Sequence, residues 1–365
     1  MLAALALPGL SAHAQEGVGR TTITIGQSVA MTGPVATLAI PFTQGARLYF
    51  ERTNAAGGVN GRKIEVVTMD DSGVPETAAA NTRKLIDLRM FSLFGYYGSS
   101  QVTASNPLLK DTDIVLFGPM AGADELRGSL YPNVFSVRPG YSEEAAVVTR
   151  HAEALGMRKL AILHARDSES VAALDSAERT LGGLGANMVG KSAVAAATVP
   201  AAVADVLGKR PESVLVISES GIAAAAIREL RAKGYRGPIY GFSNTGESLL
   251  ADQLGAAGAG VVVVRVTPKS DNAKSPLVRE FLADAAVAKV GKPNVYMLEG
   301  YIAAGVYVEA LRRAGKDLTR AKLRKALDTM QEFNLGGFRI HFEGDRVGSK
   351  LVELSLVDAT GRVRE

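Results

Sequence analysis

The sequence predicts an α/β protein made of two doubly wound lobes, and three observations support this fold class. The chain has 365 residues, which at about 150 residues per domain is enough for two domains with separate cores. Short β-branched runs alternate with helical patterns of about 10–15 residues, which is typical of βαβ crossovers and a parallel sheet. The alternation stops near residue 140 and then starts again. We therefore expect two parallel sheets, each covered by helices.

The first series of elements begins at residue 22. Its strands are predicted at 22–25, 64–69, 91–97, 113–118 and 134–138. The first helix has apolar residues at i, i+4, i+7 and i+8 (Phe42, Ala46, Tyr49, Phe50), and Pro75 begins the next helix. This pattern predicts the first doubly wound lobe.

The second series begins where Ser142 caps a helix with two glutamates in its first turn. Its strands are predicted at 160–164, 187–194, 214–218, 238–242 and 261–266. Helices at 276–290, 296–314 and 319–330 follow, and then a strand pair near 338–342 and 351–357. We expect this late helical run to return to the first lobe and complete it.

Composition excludes several classes of function. The formal net charge is only +4, and Lys and Arg never run longer than two together, so nucleic acid is not an expected partner. The absence of cysteine excludes thiol catalysis, Zn–thiolate sites, Fe–S clusters and disulfides. No later segment is apolar and long enough to span a membrane.

The N-terminus predicts export. Residues 1–10 are almost wholly apolar, and Ala12-His13-Ala14 supplies the small-x-small pattern of a cleavage site, so residues 1–14 read as a signal peptide cut after Ala14. No Lys or Arg precedes the apolar stretch, and the alternative is a frayed apolar N-terminus. We expect a periplasmic protein.

One literal phosphate-loop string, GxxxxGK[ST], spans Gly185 to Ser192. A working P-loop needs a strand before it and a helix beginning at the lysine. Here a helical pattern precedes the string and a strand pattern follows Met188. The string therefore predicts a helix-capping glycine followed by an edge strand.

Other catalytic patterns are weak. The four histidines show no metal-ligand spacing, and neither HExxH nor GxSxG occurs. Asp70 and Asp71 lie at a strand end without a third carboxylate at a useful spacing, which favours a loop or cap role. We expect no enzyme activity, no metal and no cofactor.

The segment after the third strand has two interpretations, and one of them is a small-anion site. Gly98, Ser99 and Ser100 follow a strand and precede a helix, which places free amides and hydroxyls where a carboxylate can bind. The segment from Gly118 to Gly122 ends the next strand and can add backbone donors. Ordinary helix capping by either serine explains the pattern equally well.

A series of short motifs in one order resembles the periplasmic leucine/isoleucine/valine-binding protein family, the type I solute-binding proteins of ABC importers. The motifs are GQSVAMTGP from Gly26, GAR from Gly45, NAAGGVNG from Asn54, Asp70-Asp71, GYYGSS from Gly95, Gly118-Pro119, Val137-Arg138, LEGY from Leu298 and GGF from Gly336. The similarity runs from about residue 22 to the C-terminus.

The resemblance implies two lobes joined by a three-stranded hinge, closing over a ligand. It places residues 15–139 plus 268–341 in lobe 1 and residues 140–267 plus 342–365 in lobe 2. In the family, the first lobe holds the ligand's carboxylate and amino group. Ser99, with Ser100 beside it, matches the family's serine, Met120 and Gly122 match the next contacts, and Tyr301 matches a tyrosine of the late helix.

Departures from the family pattern bear on the ligand. Gly122 stands where amino-acid binders carry a threonine, Leu38 replaces an aromatic lid residue, and Ser243 stands where they carry the glutamate that pairs with the ligand ammonium. A buried ammonium without an acceptor costs several kcal/mol. Three carboxylates are candidates to replace that glutamate: Glu169, Glu219 and Glu299. Otherwise the ligand is expected to be a small carboxylate without an α-amino group.

The resemblance implies capture without chemistry. We expect a monomer that binds an amino acid or related small carboxylate and delivers it to an ABC permease in the inner membrane. The alternative is a sensory module that reports its ligand to a signalling receptor.

Overall fold

The computed structural model describes residues 16–342 and 346–364. The predicted signal peptide and its cleavage site after Ala14 lie outside the described residues. Within them, no helix is both long and apolar enough to traverse a bilayer.

The first sheet is entirely parallel and has the order β2-β1-β3-β4-β5. Its strands are β1 (Thr22–Val29), β2 (Lys63–Asp70), β3 (Leu93–Phe94), β4 (Leu116–Phe117) and β5 (Val134–Phe135). We call this sheet, with the helices packed on it, the first lobe.

The second sheet has the order β14-β13-β10-β9-β8-β6-β7. Strands β6 to β10 run parallel to one another, while β13 pairs antiparallel with β10 and β14 pairs antiparallel with β13 at one edge. The strands are β6 (Lys159–His164), β7 (Asn187–Ala193), β8 (Ser213–Ile217), β9 (Ile239–Gly241), β10 (Val261–Arg265), β13 (Glu353–Val357) and β14 (Val363–Arg364). This sheet and its helices form the second lobe.

Helices cover both faces of each sheet, which confirms the predicted α/β architecture. One face of the first sheet packs on α1 (Ala36–Ala55), α9 (Pro276–Val287), α10 (Val295–Ala314) and α11 (Arg320–Asp328), and the other on α2 (Pro75–Asp87) and α3 (Ser99–Ser105). The second sheet packs on α4 (Tyr141–Ala154) and α5 (Ser168–Gly183), and on α6 (Val199–Gly208), α7 (Ser220–Ala232) and α8 (Glu247–Leu254).

The late helices complete the core of the first lobe, as expected. Helices α1 and α10 approach closely because each carries a glycine at the contact. A Cβ at Gly45 would lie 1.7 Å from the Met297 carbonyl oxygen, and one at Gly300 would lie 1.9 Å from that of Phe42. Only a glycine fits at either position without moving the partner backbone.

The predicted strand pair near 338–342 and 351–357 is wrong. Strand β12 (Phe338–Ile340) pairs instead with β11 (Phe333–Leu335), across the turn at Gly336-Gly337. Strand β13 joins the second sheet beside β10. Two glycines with positive φ allow the tight hairpin, which leaves β13 free to pair elsewhere.

The phosphate-loop string forms the edge strand β7, as the sequence predicts. Lys191 pairs with Glu178 at 2.5 Å. It lies inside β7, and no helix begins at this lysine. This arrangement lacks the helix N-terminus that a phosphate site of this type needs.

Candidate functional site

Two loops at the carboxyl edge of the first sheet lie side by side. Tyr97 and Met120 form a parallel bridge beyond β3 and β4, and the Gly98 N–H donates to the Met120 carbonyl at 3.1 Å. This pairing brings the amides of Ser99 and Gly122 to the same place. Loops at the carboxyl ends of parallel strands are where α/β proteins bind ligands.

Both amides donate to one carboxylate, that of Glu169. The Ser99 nitrogen lies 2.6 Å from one oxygen of Glu169, and the Gly122 nitrogen lies 2.7 Å from the other. The Tyr141 hydroxyl donates to the second oxygen at 2.8 Å. Glu169 belongs to the first turn of α5 in the second lobe and is 4% exposed. The arrangement is therefore a built carboxylate site, shared between the lobes.

Gly122 makes room for the tyrosine ring. A Cβ at Gly122 would lie 2.4 Å from the ring of Tyr141, which also stacks on Phe242 with ring centroids 5.8 Å apart. Burial, with the adjacent charge of Glu169, raises the pKa of Tyr141 well above its usual value. The phenol therefore stays protonated and donates its hydrogen bond to Glu169.

Ser243 lies in a buried ionic network beside this site. Arg138 contacts Glu144 at 3.0 Å and Glu299 at 3.3 Å, and it also donates to the Ser243 hydroxyl. Ser243 in turn donates to Glu144 at 2.7 Å. Burial raises the pKa of both glutamates, whereas the guanidinium of Arg138 acts in the opposite direction.

A cavity of about 470 Å³ opens between the lobes next to the Glu169 site. Most of its wall is apolar, and its polar groups come mainly from the second lobe. It is lined by Pro34, Val35, Leu38, Tyr97, Ala165, Arg166, Asp167, Ser170, Ala193, Val194, Ala195, Thr198, Glu219, Ile222 and Asn244. Volume and composition are those of a small-molecule site.

The three candidate carboxylates for a ligand ammonium already have partners. Glu219 caps α7 and accepts from the N–H groups of Gly221 and Ile222 at 2.6 and 2.7 Å. Glu299 pairs with Arg138, and Glu169 accepts the two loop amides. Only Glu219 among them lines the cavity.

The structure does not bring all the predicted residues together. Ser99, Gly122, Glu169 and Ser243 lie at the meeting of the lobes, whereas Ser100 is half-buried on α3 and Met120 contributes its main chain to the loop pairing.

Tyr301 lies away from the cleft, contrary to the expectation that it contacts a ligand. Its hydroxyl donates to Asp284 at 2.6 Å, and its ring packs against Tyr49 and Phe281. Two residues along a helix turn by about 200°, so the side of α10 that faces Arg138 carries Glu299 instead.

Tyr141 and Tyr97 are the site residues that sequence reasoning missed. Tyr141 had one signal, because the glycine at 122 implied that another group supplies a donor. Tyr97 lines the cavity, and its neighbour Tyr96 lies in the core of the first lobe. No sequence pattern distinguishes Tyr97, at the cavity wall, from Tyr96 in the core.

Among the described residues, no three His, Cys, Asp or Glu side chains are grouped to hold a metal ion.

Comparison with known proteins gives consistent matches over most of the chain. The profile of a family described as periplasmic binding protein matches residues 22–350. A leucine-, isoleucine-, valine-, threonine- and alanine-binding protein of Pseudomonas aeruginosa is 24% identical over 330 residues, covering 87% of this chain and 84% of its own.

Two solved structures share the fold. An extracellular ligand-binding receptor from Verminephrobacter eiseniae is 28% identical, with a TM-score of 0.87, covering 94% of this chain and all of its own. A fatty acid ABC transporter substrate-binding protein from Thermomonospora curvata is 23% identical, with a TM-score of 0.84, covering 96% of this chain and 92% of its own.

Proposed function

Since this chain belongs to the periplasmic binding protein family, we propose that it captures a small organic carboxylate in the periplasm and delivers it to an ABC importer. The relatives are binding proteins, named for ligands that are amino acids or fatty acids. Both kinds of ligand carry a carboxylate. Capture requires only that the two lobes close on the ligand by hinge rotation.

One observation supports the proposal: the amides of Ser99 and Gly122 and the hydroxyl of Tyr141 converge on the carboxylate of Glu169, and the same donors can hold the carboxylate of a ligand. Hydrogen bonds to a charged acceptor are stronger than neutral ones. The adjoining cavity is mainly apolar and suits the hydrocarbon part of such a ligand.

The charges near the cavity favour a ligand without an α-amino group. Glu169, Glu219 and Glu299 each have hydrogen-bond or ionic partners, and Ser243 is engaged by Arg138 and Glu144. The two carboxylates that line the cavity, Asp167 and Glu219, already accept hydrogen bonds in the first turns of α5 and α7, so a ligand ammonium would have to share one of them. An uncompensated buried ammonium costs several kcal/mol.

A thermal-shift series of matched compounds tests the proposal. We expect 4-methylpentanoate and 4-methyl-2-oxopentanoate to raise Tm, because a ligand that binds only the folded state stabilises it by about 2.7 kcal/mol at one hundred times Kd. The carboxamide of 4-methylpentanoate and leucine should have little effect. Stabilisation by leucine alone would contradict the absence of an amino group, and an equal effect of the carboxamide would contradict the carboxylate.

A matched pair of variants locates the binding site. Ala193 lines the cavity, whereas Ala201 is exposed on α6. Ala193→Phe should fill the cavity and abolish the shift caused by the acids, and Ala201→Phe should leave it unchanged. Equal shifts in both variants would place the ligand elsewhere.

A further inference from the structure

The carboxylate site of the first lobe is filled by a side chain of the second lobe. Both oxygens of Glu169 accept hydrogen bonds, from the amides of Ser99 and Gly122 and from the hydroxyl of Tyr141, at 2.6 to 2.8 Å. These donors come from three separate segments of the chain. Glu169 therefore makes the contacts that a ligand carboxylate would make.

The position of Glu169 is fixed by its own helix. Asp167 caps α5 by accepting from the Ser170 N–H at 2.9 Å and from the Ser170 hydroxyl at 2.7 Å. Glu169 lies between these two residues in the first turn. Its carboxylate reaches the first lobe only while the lobes are in contact.

The cavity reaches the same place. Tyr97, two residues before Ser99, forms part of its wall, and so do Asp167 and Ser170 on either side of Glu169. A small acid in this cavity would thus lie beside the groups that donate to Glu169, which are the amides of Ser99 and Gly122 and the hydroxyl of Tyr141. Two carboxylates on the same donors would be like charges about 3 Å apart in a buried site, which strongly disfavours the ionisation of both.

We infer that Glu169 is a built-in competitor for the ligand, so that a bound acid must displace its carboxylate from the amides of Ser99 and Gly122. This inference rests on the proposed function and names the residue that limits its affinity. The same contact holds the lobes together until ligand enters. Apparent affinity equals the intrinsic affinity multiplied by the fraction of molecules whose site is free.

Distance measurements between spin labels test the inference directly. The chain contains no cysteine, so Glu76→Cys on α2 and Asp205→Cys on α6 give one exposed label on each lobe. With no ligand added, we expect Glu169→Ala to lengthen and broaden the distance distribution measured by double electron–electron resonance. Millimolar acetate should restore the short distance in Glu169→Ala, by supplying the missing carboxylate, and should leave the unsubstituted protein unchanged.

Affinity provides a second measurement. Glu169→Ala should bind 4-methylpentanoate about tenfold tighter or more, as expected if at most a tenth of the unsubstituted molecules have a free site. The affinity of Glu169→Gln should lie between those of Glu169→Ala and the unsubstituted protein. Its amide oxygen can accept from one N–H, but its amide nitrogen would face the other N–H and cannot accept from it.

Asp175→Ala is the matched control. Asp175 lies on the same helix, α5, but its side chain is exposed and does not line the cavity. We expect no lengthening, no response to acetate and no gain in affinity. Circular dichroism of every variant shows that it is folded.

A folded Glu169→Ala protein with the distance distribution of the unsubstituted protein, and no response to acetate, would overturn the inference. Failure of the proposed function would look different. In that case neither protein would bind the branched acids, although Glu169→Ala would still open and acetate would still close it.

Discussion

Arg138 pairs with two buried carboxylates at once, Glu144 on α4 and Glu299 on α10, and so links the two lobes. Its side chain is 4% exposed, and those of Glu144 and Glu299 are 0% and 9% exposed. Replacing a buried ion pair can be harmless, but removing one partner leaves an unpaired charge.

We expect Arg138→Met to lower the free energy of unfolding by about 3–5 kcal/mol at pH 8. The loss should shrink at pH 5, because burial raises the pKa of Glu144 and Glu299, so both can become neutral. Urea unfolding at the two pH values measures this difference. Lys292→Met is the control, since Lys292 and Asp252 form an exposed pair that contributes about 0–1 kcal/mol. Equal losses in the two variants would contradict the assigned role of Arg138.

At this scale, sequence reasoning locates a loop more readily than it sets the direction of a side chain. The serine loop follows a strand as predicted and its Ser99 amide donates to Glu169, while binding of a ligand carboxylate there stays a prediction. Tyr301 was assigned from a motif, but its neighbours on α10 decide which side faces the cleft. The engagement of Glu169 depends on how the lobes meet, which no local pattern encodes.

At the scale of elements, the contact between α1 and α10 depends on the glycines that weaken both helices. A glycine in a helix interior costs about 0.5–1 kcal/mol relative to alanine. At Gly45 and Gly300 this cost is offset by backbone contact between the helices. A Cβ added at either glycine would lie only 1.7 or 1.9 Å from a carbonyl oxygen of the other helix.

Gly300→Ala should therefore destabilise the protein by about 1–3 kcal/mol or more, the usual cost of overpacking. Gly182→Ala on α5 should have the opposite effect, a gain of up to about 1 kcal/mol, because a Cβ there meets no atom within 4 Å. Thermal unfolding of the two variants measures whether each substitution lowers or raises stability. A neutral Gly300→Ala would show that the helices can separate without cost.

The helices and parallel strands were predictable because their apolar periodicity is strong and their connections are short. The pairing of β13 was not. Strands β11, β12 and β13 are three to five residues long, and short strands show no clear register in sequence. The Gly336-Gly337 pair, typical of a tight turn, is the one local signal for the hairpin.

At the scale of the whole molecule, the buried carboxyl group of Glu247 makes the free energy of unfolding depend on pH. Glu247 on α8 is 2% exposed, and burial raises its pKa to about 7. The charged groups around it are Arg265, Lys269 and Asp271, of which Asp271 raises the pKa and the two cations lower it.

The folded protein therefore keeps a proton that the unfolded chain releases near pH 4.5. The contribution of Glu247 to the free energy of unfolding must fall as pH rises from about 4.5 to 7 and stay low above it. Glu247→Gln should remove this fall and gain on the order of 3 kcal/mol relative to the unsubstituted protein by pH 8. Urea titrations at pH 5, 6, 7 and 8 measure it, with Glu76→Gln on exposed α2 as control. If the free energy of unfolding of Glu247→Gln and of the unsubstituted protein changed with pH in the same way, the prediction would be contradicted.

Most of the architecture was predictable, because two series of alternating elements leave few ways to build sheets. The predicted boundaries of the lobes, at 139–140, 267–268 and 341–342, stay a proposal, although each sheet draws its strands from one predicted lobe. Closure of the lobes depends on a balance of contacts, and no strand or helix pattern measures that balance.

The return of α9, α10 and α11 to the first sheet has a consequence for how the protein matures. Five strands of the second sheet follow one another without interruption, and its edge strands β13 and β14 come last in the chain. The first sheet is made earliest, yet the face that carries α1 is not fully covered until the last quarter of the polypeptide emerges. Such long loop closures are slow, so we expect completion of the first lobe to be a slow step in folding.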